Sequence, residues 1–291
     1  MKLSYLYNQI VKFGRERDPR KKKDFASFED SAVLNGKASA EIKKIMVGID
    51  IEAGELIVAD RLRQKEGLDL VISHHPEGAA YASFFRVMRL QVDLLIKLGV
   101  PAKVAKELMD IRMQEVERRV ISGNHMRAVD IARILDIPFM CVHTPADNHV
   151  AYYLQRLLEK RQPKKVQDIV DILLEIPEYK NASKNQAGPR VILGSPQRRT
   201  GKISLEMTGG TEGSKDVFDK LYKAGVRTLV SMHLSEEHFK KVKDASLNVV
   251  IAGHISSDNL GINLLLDRIE KAAGEKLQTI NCSGFRRIRR I

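Results

Sequence analysis

Hydrophobic and polar positions along the chain repeat with two periods, one of a helix and one of a strand. LSYLYNQIVKF near the start spaces its apolar residues for an amphipathic N-terminal helix. A polar connector with turn signals at Asp18-Pro19 and Asn35-Gly36 follows to residue 40, and the core is expected to begin after it. From Ile42, IKKIMVGID reads as a strand, GELIVADRLRQKEG as a helix and LDLVIS as a second strand ending at His74-His75, a βαβ unit. Helices are predicted over about Phe84 to Leu98, Ala102 to Val120 and His125 to Leu135, leading into the short apolar run IPFMCVH. Beyond Asp147 the spacing predicts helices over Tyr152 to Arg161 and Val166 to Ile176, separated by Pro163, then a polar connector from Pro177 to Pro189.

The remainder, from RVILGSPQRRTGKISLEMTGGTEG onward, alternates again. Strands and turns lead to the helix SKDVFDKLYKAG, the run VRTLVSMH, the helix SEEHFKKVKDAS and the run LNVVIAGH. No repeat of fixed period and no low-complexity segment interrupts it. The expectation is an α/β protein of two lobes, each a mixed or parallel sheet flanked by helices. Residues 1–150 would form an N-terminal α/β lobe with a helical insertion near 84–135, residues 151–190 a helical connector, and residues 191–291 a C-terminal α/β lobe.

Composition narrows the function classes. The 291 residues are 43% hydrophobic, enough for a sizeable core, and carry a formal charge of +12. No stretch approaches the roughly 18 consecutive apolar residues that cross a bilayer, and MKLSYLYNQIVKFGRERD holds no apolar signal region, so a cytoplasmic location is expected. Cys141 and Cys282 fit no CxxC spacing, which leaves any metal to histidine and carboxylate ligands. Positive charge gathers in Arg15 to Lys23 (RERDPRKKK) and in FRRIRRI from Phe285 to Ile291. Such tails attract polyanions, nucleic acid among them, or serve solubility and contacts between copies. No zinc finger, basic zipper or RNP-like motif accompanies them, and the absence of tryptophan weakens the case for base stacking.

Four short β-rich runs end in histidine: LDLVISHH at His74-His75, IPFMCVH at His143, RTLVSMH at His233 and NVVIAGH at His254. In open α/β sheets, ligands bind beyond the carboxyl ends of the strands, so these imidazoles are placed to converge. Asp147 follows His143 by four positions (HTPAD) and Asp258 follows His254 by four (HISSD), each in a short segment after its strand. Imidazole with carboxylate suits zinc, manganese or ferrous iron. Successive side chains of a strand point to opposite faces, so His74 and His75 do not easily share one ion. Two ions bridged by a carboxylate would use both, and such a pair activates water and clamps a phosphate or carbonyl oxygen. Taken singly, a strand-end histidine is also an ordinary hydrogen-bonded or surface residue, and the two aspartates are also helix caps. His125, His233 and His238, beside polar neighbours, read as solvated. Asp50 after MVGI is either a crevice carboxylate or a cap. GGTEGS at Gly209 to Ser214 lacks phosphate-loop spacing and reads as a strand-to-helix turn.

The set VGID (Val47 to Asp50), DLVISHHP (Asp69 to Pro76), VHTPAD (Val142 to Asp147), the TGG turn (Thr208 to Gly210) and AGHISSD (Ala252 to Asp258), in this order, resembles the Nif-three-like family, also called GTP cyclohydrolase I type-two-like. The resemblance runs from about Ile45 to the C-terminus, with gaps. It implies a dinuclear metal cleft between the two lobes and assembly as a homo-oligomer, often a ring-shaped hexamer. It makes His74, His75, Asp147, His254 and Asp258 the metal ligands. His143 becomes a neighbour in the cleft and a candidate catalytic proton shuttle. Three features depart from the family: Asp258 stands where Glu is usual, the interval from His75 to His143 is longer, and the first 40 residues match poorly. The activity implied is metal-dependent hydrolysis, by a metal-activated water, of a nucleotide-like or other small substrate. The alternative is a non-catalytic metal-binding assembly or regulatory protein that contacts protein or nucleic acid.

Overall fold

The computed structural model describes residues 1–20 and 23–290, so Lys21 and Lys22 of the first basic run and Ile291 of the second lie outside the described residues. In chain order the elements are α1 (Leu3–Arg17), β1 (Ala32–Asn35), β2 (Lys44–Gly48), α2 (Ala53–Glu66), β3 (Leu70–Ser73), α3 (Gly78–Ser83), α4 (Leu90–Lys97), α5 (Ala102–Val120), α6 (Arg127–Ile134), β4 (Phe139–Cys141), α7 (Thr144–Arg161), α8 (Val166–Leu174), α9 (Pro177–Lys184), β5 (Arg190–Leu193), β6 (Lys202–Glu206), α10 (Phe218–Lys223), β7 (Val226–Ser231), α11 (Glu236–Asp244), β8 (Asn248–Ile251), α12 (His254–Ala273) and β9 (Gln278–Asn281). They build two mixed sheets of order β1-β4-β3-β2-β9 and β5-β8-β7-β6. In each, one edge strand is antiparallel, β1 against β4 and β5 against β8, and the other pairings are parallel. Parallel strands covered on both faces read as unbroken apolar runs, which is why β2, β3, β7 and β8 stand out in the sequence.

Two long helices join the sheets. Ile262, Leu265, Leu266 and Ile269 of α12 pack with Ile45 and Val47 of β2 and Leu70 and Ile72 of β3. Leu260, on the same helix, packs with Val230 of β7 and Val250 of β8. α7 divides in the same way, Ala146 going to the first cluster and Val150, Leu154 and Leu158 to the second. Where the two helices cross, a Cβ on Gly261 would stand 2.5 Å from the Ala146 carbonyl oxygen. Only glycine permits that approach.

Several expectations are corrected. The segment before residue 40 is no appendage: Leu3, Leu6, Ile10 and Phe13 of α1 are buried in the first cluster, and β1 extends the first sheet. An amphipathic stripe is stable only when its apolar side is covered, and the sheet face covers it. α7 begins at Thr144, with Pro145 in its first turn where a missing N–H costs nothing, so Asp147 and likewise Asp258 lie on helices rather than in loose segments. The polar connector after Pro177 is helix α9, started by that proline and anchored by the buried Tyr179. Phe84 to Leu98 is not one helix but a 3₁₀ turn over Phe84–Arg89 followed by α4. Leu95 of α4 and Ala105, Met109, Met113 and Val116 of α5 pack with Phe218, Leu221, Leu229 and Val242, on the second sheet's side.

The C-terminal arginines are not a free tail. Arg287, nearly inaccessible, lies 2.6 Å from Asp267 and 2.9 Å from Glu270, and Arg289 and Arg290 reach Glu270 and Glu178. No helix among the described residues is long and apolar enough to cross a membrane.

Candidate metal centre

β3, β4 and β8 deliver their histidines to one place. After β3 the backbone stays extended, His74 N–H bonding the Gly48 carbonyl and His75 N–H the Ile49 carbonyl, so the two rings leave on different sides. His143 closes β4 as the residue before α7, and Asp147 stands one turn into that helix. Gly253, at φ 111°, turns the chain from β8 into α12, and His254 and Asp258, one turn apart, share one face of that helix.

Asp258 lies at the middle. Its Oδ1 is 3.4 Å from His74 Nε2, while its Oδ2 is 3.6 Å from His75 Nε2 and 3.7 Å from His254 Nε2. Asp147 places Oδ1 3.4 Å from His74 Nε2 and Oδ2 3.7 Å from His143 Nε2. Three sets of ligand atoms each lie within 4.8 Å of one another: His74, His75 and His143; His75, His254 and Asp258; His74, Asp147 and Asp258. All five expected ligands and His143 are thus brought together. The adjacent histidines face the two oxygens of one carboxylate.

Each of three rings is fixed from behind. Nδ1 of His74 donates to the Val142 carbonyl at 3.0 Å, Nδ1 of His75 to Asp50 at 2.6 Å and Nδ1 of His143 to Asp30 at 2.8 Å. These acceptors carry no proton to give, so the tautomer is set and every Nε2 is turned toward the aspartates. Asp50 is thus an exposed carboxylate that holds His75 from behind rather than a helix cap, and Glu52 precedes α2 in the capping position. Asp30 had no signal in the sequence. It is fully buried and also accepts bonds from the Thr144 N–H and hydroxyl.

The inner atoms lack partners. His74 Nε2, Asp147 Oδ1 and both Asp258 oxygens are buried without a hydrogen bond among the described residues. Orphaned buried groups of this kind are rare and costly unless something satisfies them. Imidazole nitrogens and carboxylate oxygens without thiolate form a donor set that fits a divalent ion. Burial opposes charge on His74, yet the Asp258 and Asp147 carboxylates overcome it and raise the ring to about 10. Asp258, despite burial, is held down to about 2 by the surrounding imidazoles. Burial instead lowers His254 to about 4, keeping its ring neutral with a lone pair to give.

No family model and no curated protein matches the chain. Solved structures do. A NIF3 superfamily protein from Sphaerobacter thermophilus shares 29% identity over 95% of this chain and 97% of that one, with a TM-score of 0.78. The chain has the NIF3-like fold. Reduced HcgD from Methanocaldococcus jannaschii (16% identity, TM-score 0.57) and TTHA1606 from Thermus thermophilus (17%, 0.53) each match over 97% of both chains and share the fold.

Within this NIF3-like fold a cleft runs from His143, Asp147, His254 and Asp258 to the ends of β6 and β7, with Gln91 and Leu94 of α4 on its wall. α4 thus covers part of the cleft. Gln91 Nε2 donates to the Gly209 and Thr211 carbonyls, and Gly209 and Gly210 take positive φ, so the TGG segment is a fixed turn. His233, read as solvated, is half-exposed in this cleft, its ring 4.7 Å from that of His254 and its Nδ1 3.4 Å from Glu212. His238, also read as solvated, is buried and bonds the Gly213 carbonyl, while His125 stacks near Tyr81 away from the site. Glu212, despite burial, is held at about 2 by bonds from His233 and the Ser235 N–H. Glu206 is pushed to about 7 by burial and by the nearby Glu212 charge.

Proposed function

We propose that the protein is a metal-dependent hydrolase acting on a nucleotide-like or other small substrate in the cleft beside Asp258. Two divalent ions, zinc, manganese or iron, would be held by His74 and Asp147 on one side of Asp258 and by His75 and His254 on the other. The observation that carries this reading is the set of buried, unpartnered atoms, His74 Nε2, Asp147 Oδ1 and the two oxygens of Asp258, all facing inward. Asp258 stands where the family that the sequence resembles usually has the longer glutamate, and its position one turn into α12 brings the shorter arm within reach of three imidazoles.

Bound divalent ions supply Lewis acidity to a carbonyl or phosphoryl oxygen. The chain's own groups do the rest. His143, held through Nδ1 by Asp30, presents Nε2 toward Asp147 and takes or returns a proton there. Glu206, protonated into the neutral range, offers the substrate an O–H donor. The TGG turn, locked by Gln91, gives the substrate a rigid wall. We place the protein in the cytoplasm as a homo-oligomer, a ring-shaped hexamer being the assembly to seek by light scattering.

The test is metal content by elemental mass spectrometry of wild type, His75→Ala and Asp147→Ala. About two ions per chain, reduced in both variants, and hydrolysis of nucleotides or phosphoesters that His143→Ala abolishes with metal retained, is the expected result. Protein that stays metal-free after loading with zinc, manganese or ferrous iron overturns it. Metal without turnover of any substrate would favour the assembly or regulatory reading. The ion pairs of Arg287, Arg289 and Arg290 weigh against a nucleic-acid role for that end of the chain.

A further inference from the structure

His254 is a wall of two cavities. One is the cleft described above, and the other is lined by Asn181 and Asn185 of α9 and its end, by Ile255 and Ser256 of α12, and by Arg286 after β9. The charge balance of this second cavity differs from that of its surroundings. Arg287, Arg289 and Arg290 are matched to Asp267, Glu270 and Glu178, but Arg286 has no carboxylate partner among the described residues. Its guanidinium makes one side-chain bond, from Nη1 to Asn181 Oδ1 at 3.3 Å. Glu178 also borders the cavity, yet Arg290 and the Asn263 amide occupy its two oxygens. The Asn185 side chain has no hydrogen bond among the described residues, so its N–H₂ is free to donate, as is that of Asn181, whose oxygen alone is used. The first turn of α12 adds backbone N–H groups and the positive end of a long helix.

We propose that this cavity is a subsite for an anionic group, a phosphate or a carboxylate, with Arg286 as its cation and Asn181 and Asn185 as its neutral donors. A guanidinium fork flanked by amide donors is complementary to a planar or tetrahedral oxyanion. The inference deepens the hydrolase reading: a substrate anchored here by its anion would pass His254 to reach Asp258. It also assigns a task to α9, which the sequence left as a connector.

The experiment is calorimetric titration of the full chain with inorganic phosphate and, separately, with succinate, metal content being measured on the same samples. Wild type should bind at least one of the two, and the stronger names the anion class. Arg286→Gln, an exposed position, should weaken that binding roughly tenfold or more while leaving metal content at the wild-type level. Asn185→Ala should weaken it less. Chelator-stripped wild type should retain it. Binding that survives Arg286→Gln, binding that disappears with the metal, or wild type that takes up neither anion at millimolar concentration overturns the subsite. Arg286-dependent binding in a protein that never holds metal would sink the hydrolase reading and leave the anion site standing.

Discussion

The Asp30 carboxylate accepts a 2.8 Å hydrogen bond from Nδ1 of His143 across 113 positions of sequence. Both groups are buried, and the bond, with the charge of Asp147, raises the His143 ring above its ordinary value against the burial that lowers it. Asp30→Asn keeps the shape but removes the charge. The His143 titration, followed by NMR of the ring protons in metal-free protein, should move down. Stability should fall by about 2 kcal/mol in urea, because a charged acceptor of four bonds, from His143, the Thr144 N–H and hydroxyl and the Ser31 hydroxyl, becomes a neutral one. An unmoved titration would mean that Asp30 serves packing alone.

Gly261 sets the distance between Asp147 and Asp258. Its missing Cβ lets α12 rest on the Ala146 carbonyl, one residue before Asp147. Gly261→Ala puts a methyl carbon 2.5 Å from that oxygen, and backbone on both sides cannot yield as a side-chain tip would. The expected cost is about 2 kcal/mol of overpacking, read by thermal or urea unfolding, offset slightly by alanine's better helix propensity. The two helices must part. Metal content should therefore drop although no ligand has been changed, and full occupancy in a variant of lowered stability would show that the aspartates move together.

The histidines at the ends of β3, β4 and β8 were legible because doubly covered parallel strands are continuous apolar runs and α/β sites gather at their carboxyl ends. Asp147 and Asp258 were legible through their four-residue spacing, although the segments holding them proved helical. Asp30 was not, since a lone aspartate in a polar stretch shows nothing of a partner 113 positions away. His238 does carry a sequence signal: with Val242 it forms an i, i+4 pair, the two buried residues of α11. FRRIRRI read as a tail because Asp267 and Glu270, which neutralise Arg287, lie a helix away. Charge in sequence shows sign and quantity, and only the fold shows which charges are already matched.

Glu212 predicts a pH dependence of stability. Bonds from His233 and the Ser235 N–H hold its carboxyl at about 2, well below its ordinary 4.5. A depressed carboxyl contributes stability that is complete above its unfolded value and is lost as pH falls toward its folded value. The window is thus from about pH 4.5 down to about pH 2. Glu212→Gln should be less stable than wild type by about 2–3 kcal/mol at pH 6, allowing for partial solvent access. That difference should shrink by roughly 1 kcal/mol at pH 3.5. A gap that stays constant in urea titrations at the two pH values would remove the charge from the explanation.

Arg287 tests whether the C-terminal arginines are structural. Its side chain is 4% exposed and paired with Asp267 and Glu270, themselves nearly inaccessible. Arg287→Ala leaves two buried carboxylates facing each other, with Arg289 and the Leu277 N–H still on Glu270 and the Arg290 N–H still on Asp267. Removing one partner of a buried ion pair costs about 3–5 kcal/mol, far more than an exposed pair is worth. Urea unfolding should show a loss of that size, and it should persist at high salt because buried pairs are poorly screened. A tail held out for polyanions would behave otherwise, with no change in stability and a salt-sensitive loss of binding to a nucleic-acid homopolymer.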